Sequence, residues 1–234
     1  MLATPDLHST YCGGTFLWMT SRLGPFLMAL DETTRARLLA DAVRVDVPVG
    51  SVLYRDREGS RMGLVVAGLI RVYLTSSAGR QVTVRYAREG DVLGTAVSVI
   101  GPIGVSVQAI TDSTLLIVNA DRVRDLGHND AGVAWAVAEE VARRLNEVLE
   151  AFAGTAFGSI RQRLARHLLD LAAERPRANL LLAPVSQQEL ADAVGSVREV
   201  VTRVLREMRD EGLVRTTRQG IVLLDPAGLS AQVD

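Results

Sequence analysis

Cysteine is almost absent from this sequence: Cys12 is its single thiol. One sulfur cannot close an internal disulfide, and an iron–sulfur cluster needs about four thiolates. Neither is expected, and the chain reads as a protein of a reducing cytoplasm. Lysine is missing altogether, so all 26 basic residues are arginine. No stretch approaches the roughly 18 continuous apolar residues of a membrane span. The N-terminus also lacks the basic region and apolar core of an export signal, so neither membrane insertion nor export is expected. Charge of one sign is not in excess either, with 26 basic against 27 acidic residues. A polyanionic partner would therefore have to be met by local rather than global positive charge. What is abundant is apolar side chain, 48% of 234 residues, enough for the cores of two small domains.

Residues 186–224 imply one specific mechanical task. Ser186 followed by Glu189 has capping-box spacing, and Leu190 and Val194 then share one face of a short helix. Ala191 is small enough for a second helix to cross closely, and Gly195 stands where a tight turn needs a residue without Cβ. Ser196 is expected to open the second helix, with Glu199 repeating the capping-box spacing and Val200, Val201, Val204, Leu205 and Met208 facing inward. Arg198, Glu199, Thr202, Arg203 and Arg206 point elsewhere, which by itself is only the solvated side of an amphipathic helix. Gly212 then ends the helix, and LVRT and GIVLL read as two strands joined by the TRQG turn. Helix, turn, helix and β-ribbon make a winged helix-turn-helix, whose task is to place a helix in the major groove of DNA. Residues 195–220 hold six arginines against four acids, a modest local excess.

GSVREVVTRVLREM resembles the recognition helix of the CRP/FNR family of bacterial transcription regulators, the family of the cyclic-AMP receptor protein. By that resemblance Arg198, Glu199 and Arg203 fall on base-reading positions. Arginine bonds guanine O6 and N7 bidentately, and a carboxylate accepts from cytosine N4. Val197 and Val200 depart from the hydroxyl residues common at their positions. Gln188, Thr202, Thr217 and Arg218 are expected at the sugar–phosphate backbone, with plain surface residues as the alternative. The resemblance further implies a homodimer on a pseudo-palindromic double-stranded operator, with RNA polymerase as a further partner.

Upstream, residues 1–25 read as an extension in which Phe16 and Trp18 fill a packing gap or cover a pocket. PFLMALDETTRARLLADAVRVDVP then suggests two short helices, with Asp31 an N-cap and Leu38 and Leu39 inward. Short β-branched segments broken at Gly50, Gly59, Gly68, Gly79, Gly90 and Gly94 suggest a small antiparallel barrel or jelly roll. Their order, with Pro48 and Gly50 and the glycines of AGLIRVY and EGDVLG, is similar to the β-roll of the cyclic-nucleotide-binding domain. A cupin enzyme would need histidines inside such a barrel. His8, His128 and His167 all lie outside the expected strands, so metal catalysis is not expected.

In family members that bind cyclic AMP, a cassette after the GDxxG turn offers a glutamate to the ribose and an arginine to the phosphate. Here Thr95 and Ile103 stand near those positions, and Val148 and Leu149 replace the hydroxyls expected on the following helix. An apolar side chain cannot neutralise a buried phosphate. Cyclic AMP is therefore disfavoured. The remaining readings are a more apolar ligand, a polar effector met by Arg71, Arg85 or Arg88, or no ligand, and the candidate pocket residues are Arg71, Arg85, Thr95, Ser106, Val148 and Leu149. The simplest reading of Arg71, Arg85 and Arg88 is a solvated strand face.

Residues 130–157 read as one long helix in which Ala134, Val137, Val141, Leu145, Val148 and Phe152 form a seam, with Glu139, Glu140, Arg143 and Arg144 on its flanks. The stripe could cover its own barrel, but the resemblance makes it a dimerisation helix. Gly154 and Gly158 mark its end and a hinge, and Leu164, Leu168 and Leu171 face inward on the next helix. The expected whole is an α+β chain: an extension over 1–25, an antiparallel β-roll like the cyclic-nucleotide-binding jelly roll over 26–129, a dimerisation helix over 130–157, and a winged helix-turn-helix over 158–234. No nucleophile–base pair or ligand cluster supports an enzyme. The rival readings are a barrel with an accessory helix-turn-helix and an architectural DNA-binding protein.

Overall fold

Where β-branched residues alternate with turn residues the backbone pairs into sheets, and where apolar residues recur every three or four positions it coils. The computed structural model describes residues 10–11, 24–54, 61–79, 81–172, 176–177 and 180–233. Phe16, Trp18, Cys12 and His8 lie outside them. In chain order come β1 (Thr10–Tyr11), α1 (Pro25–Met28), α2 (Glu32–Leu39), β2 (Val43–Val47), β3 (Val52–Tyr54), β4 (Arg61–Ala67), β5 (Ile70–Thr75), β6 (Gln81–Ala87), β7 (Val92–Leu93) and α3 (Thr95–Ile100). Then follow β8 (Ser106–Ala109), β9 (Ser113–Asn119), α4 (Ala120–Asn129), α5 (Ala131–Phe157), α6 (Ile160–Ala172), β10 (Pro176–Arg177), β11 (Leu180–Ala183), α7 (Gln187–Val194), α8 (Arg198–Asp210), β12 (Val214–Thr217), β13 (Gly220–Leu223) and α9 (Pro226–Ser230).

The chain divides into two units, residues 1–72 with 87–146 and residues 73–86 with 147–234. Strands form one sheet ordered β1-β2-β9-β4-β7 and another ordered β3-β8-β5-β6. Strand β9 is antiparallel to both neighbours, with Val45 opposite Leu115 and Leu64 opposite Leu116. In the first unit, Phe26, Leu27, Leu38 and Leu39 from the short helices join Met62, Leu64 and Val118 from the sheet. Val123, Leu126, Val133 and Val137 from α4 and α5 complete that core. Asp31 caps α2 as expected, its carboxylate accepting from the Thr34 amide at 2.9 Å. The Thr34 backbone bond holds this carboxyl below its ordinary pKa. The cap therefore contributes above the ordinary carboxylate range and is lost as pH falls through the depressed value.

Helix α5 runs from Ala131 to Phe157, and Gly158 makes the break before α6. One local expectation is corrected. Ser196 does not open α8. Its amide donates to Ala191 O at 2.9 Å, closing α7, and Val197 is the N-cap, without a side-chain capping bond.

Candidate nucleic-acid interface

The second unit is built around α6, which packs against α7, α8, α9 and β11. Its Leu164, Leu168 and Leu171 are buried as their spacing implies. Leu190, Ala191 and Val194 of α7, Val201, Val204, Leu205 and Met208 of α8, and Val214, Ile221 and Leu223 of the wing complete the apolar interior. Val200 is only half-buried.

Helix α7 starts on a complete capping box. Ser186 Oγ accepts from the Glu189 amide at 3.2 Å, and Glu189 Oε2 accepts from the Ser186 amide at 2.7 Å. Ser186→Ala is therefore expected to cost about 0.5–2 kcal/mol of stability. Chemical denaturation followed by helix content would read this as a lower midpoint with unchanged slope. At the other end Gly195 adopts φ 66°, the left-handed conformation that reverses the chain between the helices. Arg163 Nη1 donates to Val194 O at 2.8 Å, tying α6 to the same turn. The wing turn is held by Thr217 Oγ1, which donates to Gly220 O at 2.9 Å and accepts from the Gln219 amide at 3.2 Å. Gly220 has φ 134°, and a Cβ there would collide with the Ala183 carbonyl oxygen.

This scaffold leaves Arg198, Glu199, Arg203 and Arg206 exposed on α8, and Arg215, Thr217 and Arg218 exposed on the wing. Among the described residues, the side chains of Arg198, Arg203, Arg206, Arg215 and Arg218 make no hydrogen bond or ion pair. Other arginines of this unit are spent internally: Arg161 on Glu211 and Gln232, Arg209 on Asp210. Cations left without carboxylates on one helix and its wing suit a polyanion with acceptors at its base edges. Sequence reasoning places Arg206 among the outward-facing residues without giving it a site role, and does not single out Arg215. Arg206 was findable, because it continues the i, i+4 row of Arg198 and Thr202. Gln188 is exposed, and its amide donates to Asp192 at 3.0 Å. Thr202 is half-buried, with its hydroxyl 2.8 Å from both Arg198 O and Gln187 Oε1.

The residues expected at an effector pocket differ in burial, and Ser106, Arg71 and Arg85 lie on the neighbouring strands β8, β5 and β6 of one sheet. Arg71, Thr95 and Ser106 are buried in the first unit, so Arg71 is not on a solvated strand face. Arg85 is half-buried and belongs to the second unit, where it lines a groove with Arg163, Arg166 and His167, whose ring meets Tyr86 edge-on at 5.9 Å. Val148 and Leu149 are exposed. The cassette segment itself begins with α3, whose Ser98 Oγ donates to Thr95 O at 2.7 Å, and Arg124 reaches Ser98 O at 2.9 Å. Glu140, expected on a flank of the α5 seam, is buried and accepts from Arg143 at 2.5 Å and Arg144 at 2.6 Å. Arg144 also reaches Asp91 at 2.8 Å, tying α5 to the turn before the cassette.

The expected seam on α5 splits in the same way. Val137 is buried in the first unit's core and Val141 packs against that core. Leu145, Val148 and Phe152 are exposed, together with Trp135 and Leu149. His128 and His167 lie on helices. Among the described residues no group of three or more His, Cys, Asp or Glu side chains could hold a metal ion, and no helix is long and apolar enough to cross a membrane.

Known families share both halves of this architecture. Residues 44–130 match the cyclic nucleotide-binding domain, and residues 162–232 match the Crp-like helix-turn-helix domain. The transcriptional regulator LdrP of Thermus thermophilus is 31% identical over 186 residues, covering 78% of this chain and 92% of the relative. The cAMP-activated global transcriptional regulator Vfr of Pseudomonas aeruginosa is 23% identical over 183 residues, 74% of this chain and 85% of that one. A solved CRP/FNR-family transcriptional regulator from Thermus thermophilus superposes with a TM-score of 0.70 at 27% identity, covering 81% of this chain and 97% of the other. A β-roll, a long helix and a winged helix-turn-helix, in a chain this similar to known regulators, make it a DNA-binding transcription regulator of the CRP/FNR family rather than an enzyme.

Proposed function

We propose that the chain works as a homodimer that reads a pseudo-palindromic operator, with Arg198, Glu199 and Arg203 at the base edges. The observation that carries this reading is the set of arginines without carboxylate partners on α8 and the wing. Two such helices would enter successive major grooves about 34 Å apart. Arg198 and Arg203 select guanine and Glu199 the cytosine paired to it, while Gln188, Thr217 and Arg218 meet the backbone. Contact with RNA polymerase and a place in the cytoplasm follow from the family's work.

The dimer seam in this reading is Trp135, Ala138, Ala142, Leu145, Leu149 and Phe152. All are exposed, and they follow the alternating three- and four-residue steps of a coiled coil. The effector is not cyclic AMP bound in the usual way, because Thr95 and Ile103 stand where such binders carry a glutamate and an arginine. Selection from a random DNA pool with the purified protein, with and without cyclic AMP, tests both parts. A palindrome enriched equally in both arms is expected, and enrichment only with the nucleotide would overturn the effector reading. Arg198→Ala should then cost about 1–3 kcal/mol on the selected site and relax one base position. An equal loss on random DNA would remove Arg198 from the base-reading set.

A further inference from the structure

Within the second unit, α6 and the β5–β6 hairpin border a groove that also takes in the turn between α7 and α8. Side chains two apart on a strand share a face, so Val82, Val84 and Tyr86 of β6 stand together. Both ends of that face are placed. Val82 Cγ2 lies 4.0 Å from the position a Cβ on Gly195 would take, and the Tyr86 ring meets His167 edge-on at 5.9 Å. Apart from the Tyr86 hydroxyl, this wall of the groove is apolar. Arg85 alternates with Tyr86 and belongs to the opposite face of β6.

The other wall is basic. Arg163, Arg166, His167 and Asp170 follow the i, i+3, i+4, i+7 spacing of one helix face, and all line the groove. Arg163 Nη1 donates to Val194 O at 2.8 Å, but its Nε is buried and makes no hydrogen bond. Arg166 is half-buried, and among the described residues its side chain makes no hydrogen bond or ion pair. Asp170 is exposed, and Asp192, the other carboxylate lining the groove, accepts from Gln188 at 3.0 Å. A guanidinium drawn partly out of water without a carboxylate has donors left to satisfy.

We infer that this groove binds an organic acid, its carboxylate held by Arg166 and by Arg163 Nε and its hydrocarbon body laid on Val82, Val84 and Tyr86. The planar fork of an arginine matches a carboxylate, and the apolar body keeps water from the pair. The ligand bridges α6 and the hairpin beside Gly195, in the turn that leads into α8.

The test is calorimetric titration of the full-length protein with octanoate, acetate and octan-1-ol at equal ionic strength, the octanoate kept below its micelle concentration. Octanoate is expected to bind once per chain and at least about tenfold more tightly than acetate, the effect of burying as few as two of its methylene groups. The alcohol has the body without the charge, and should bind at least about tenfold more weakly than octanoate. Arg166→Gln removes no hydrogen bond or ion pair among the described residues, so it should keep the wild-type melting midpoint and weaken octanoate about tenfold. Val82→Ser, at an exposed position, should weaken octanoate and leave acetate unchanged. Arg37→Gln, at an exposed arginine of the first unit, should bind octanoate as the wild type does. Absence of saturable octanoate binding, an alcohol that binds as tightly as octanoate, or an Arg166→Gln variant that binds it like the wild type overturns the inference. Equal losses in Arg166→Gln and Arg37→Gln, the mark of diffuse attraction between charges, overturn it as well.

Discussion

Leu145→Arg is expected to turn the protein into a monomer and to weaken its binding to a two-half-site operator by a factor on the order of 10²–10⁴, the range lost when two linked binding events become independent. Leu145 is 58% exposed in the single chain, and Leu149 and Phe152 beyond it are exposed at 56% and 67%. A large apolar side chain in water contributes nothing to its own fold, whereas in a coiled-coil seam it fills a hole between four residues of the facing helix. An arginine on each partner would place two like charges in that hole and strip them of water. The variant should fold as before, since Leu145 is outside the first unit's core. Light scattering after size exclusion gives the mass, and a titration against the operator gives the affinity. A variant that keeps the dimer mass would move the interface off this face of α5.

Leu168→Ala is expected to destabilise the second unit by about 2–5 kcal/mol, the cost of emptying a fully buried leucine site. Leu168 is 0% exposed on α6, the helix against which α7, α8 and α9 pack. Typical domains hold only about 5–15 kcal/mol in total. For a unit of this size each kcal/mol corresponds to roughly 4–8 °C, so a midpoint shift of at least about 8 °C should be visible by calorimetry. With two units the trace need not be a single transition. The fall should be confined to the transition that carries DNA binding. An unchanged midpoint would mean that α6 does not organise this unit.

Much of the interface was legible because its determinants are local. The Ser186–Glu189 capping box closes over three residues, Gly195 needs its left-handed conformation wherever a chain turns between two helices, and the inward residues of α6 and α8 follow from helical spacing alone. The start of α8 falls one residue later than the sequence suggests. Ser196 has a good capping side chain, but its amide was already committed to Ala191 O, so the cap passed to Val197.

Helix α5 shows where local reading stops. Its apolar residues follow helical spacing all round, so periodicity identifies a helix without saying which stripe meets which neighbour. Val137 and Val141 share helical spacing with Leu145, Val148 and Phe152, yet the first pair lies on the unit's own core and the last three are exposed. Glu140 and Arg144 form an ordinary i, i+4 pair in sequence, and only the approach of Asp91, 53 residues away, makes them part of a partly buried ion-pair network.

By itself the sequence determined the Asp31 and Ser186 caps, the Gly195 turn and the helix that carries the exposed arginines, because each depends on neighbours within a turn. Only the tertiary structure decided that Arg71 and Glu140 are buried, that Arg85 belongs to the second unit, that the outer face of α5 runs from Trp135 to Phe152, and that Thr202 spends its hydroxyl inside the protein. Burial and pairing are set by residues distant in the chain, and a one-dimensional pattern carries no record of which of its faces another segment will cover.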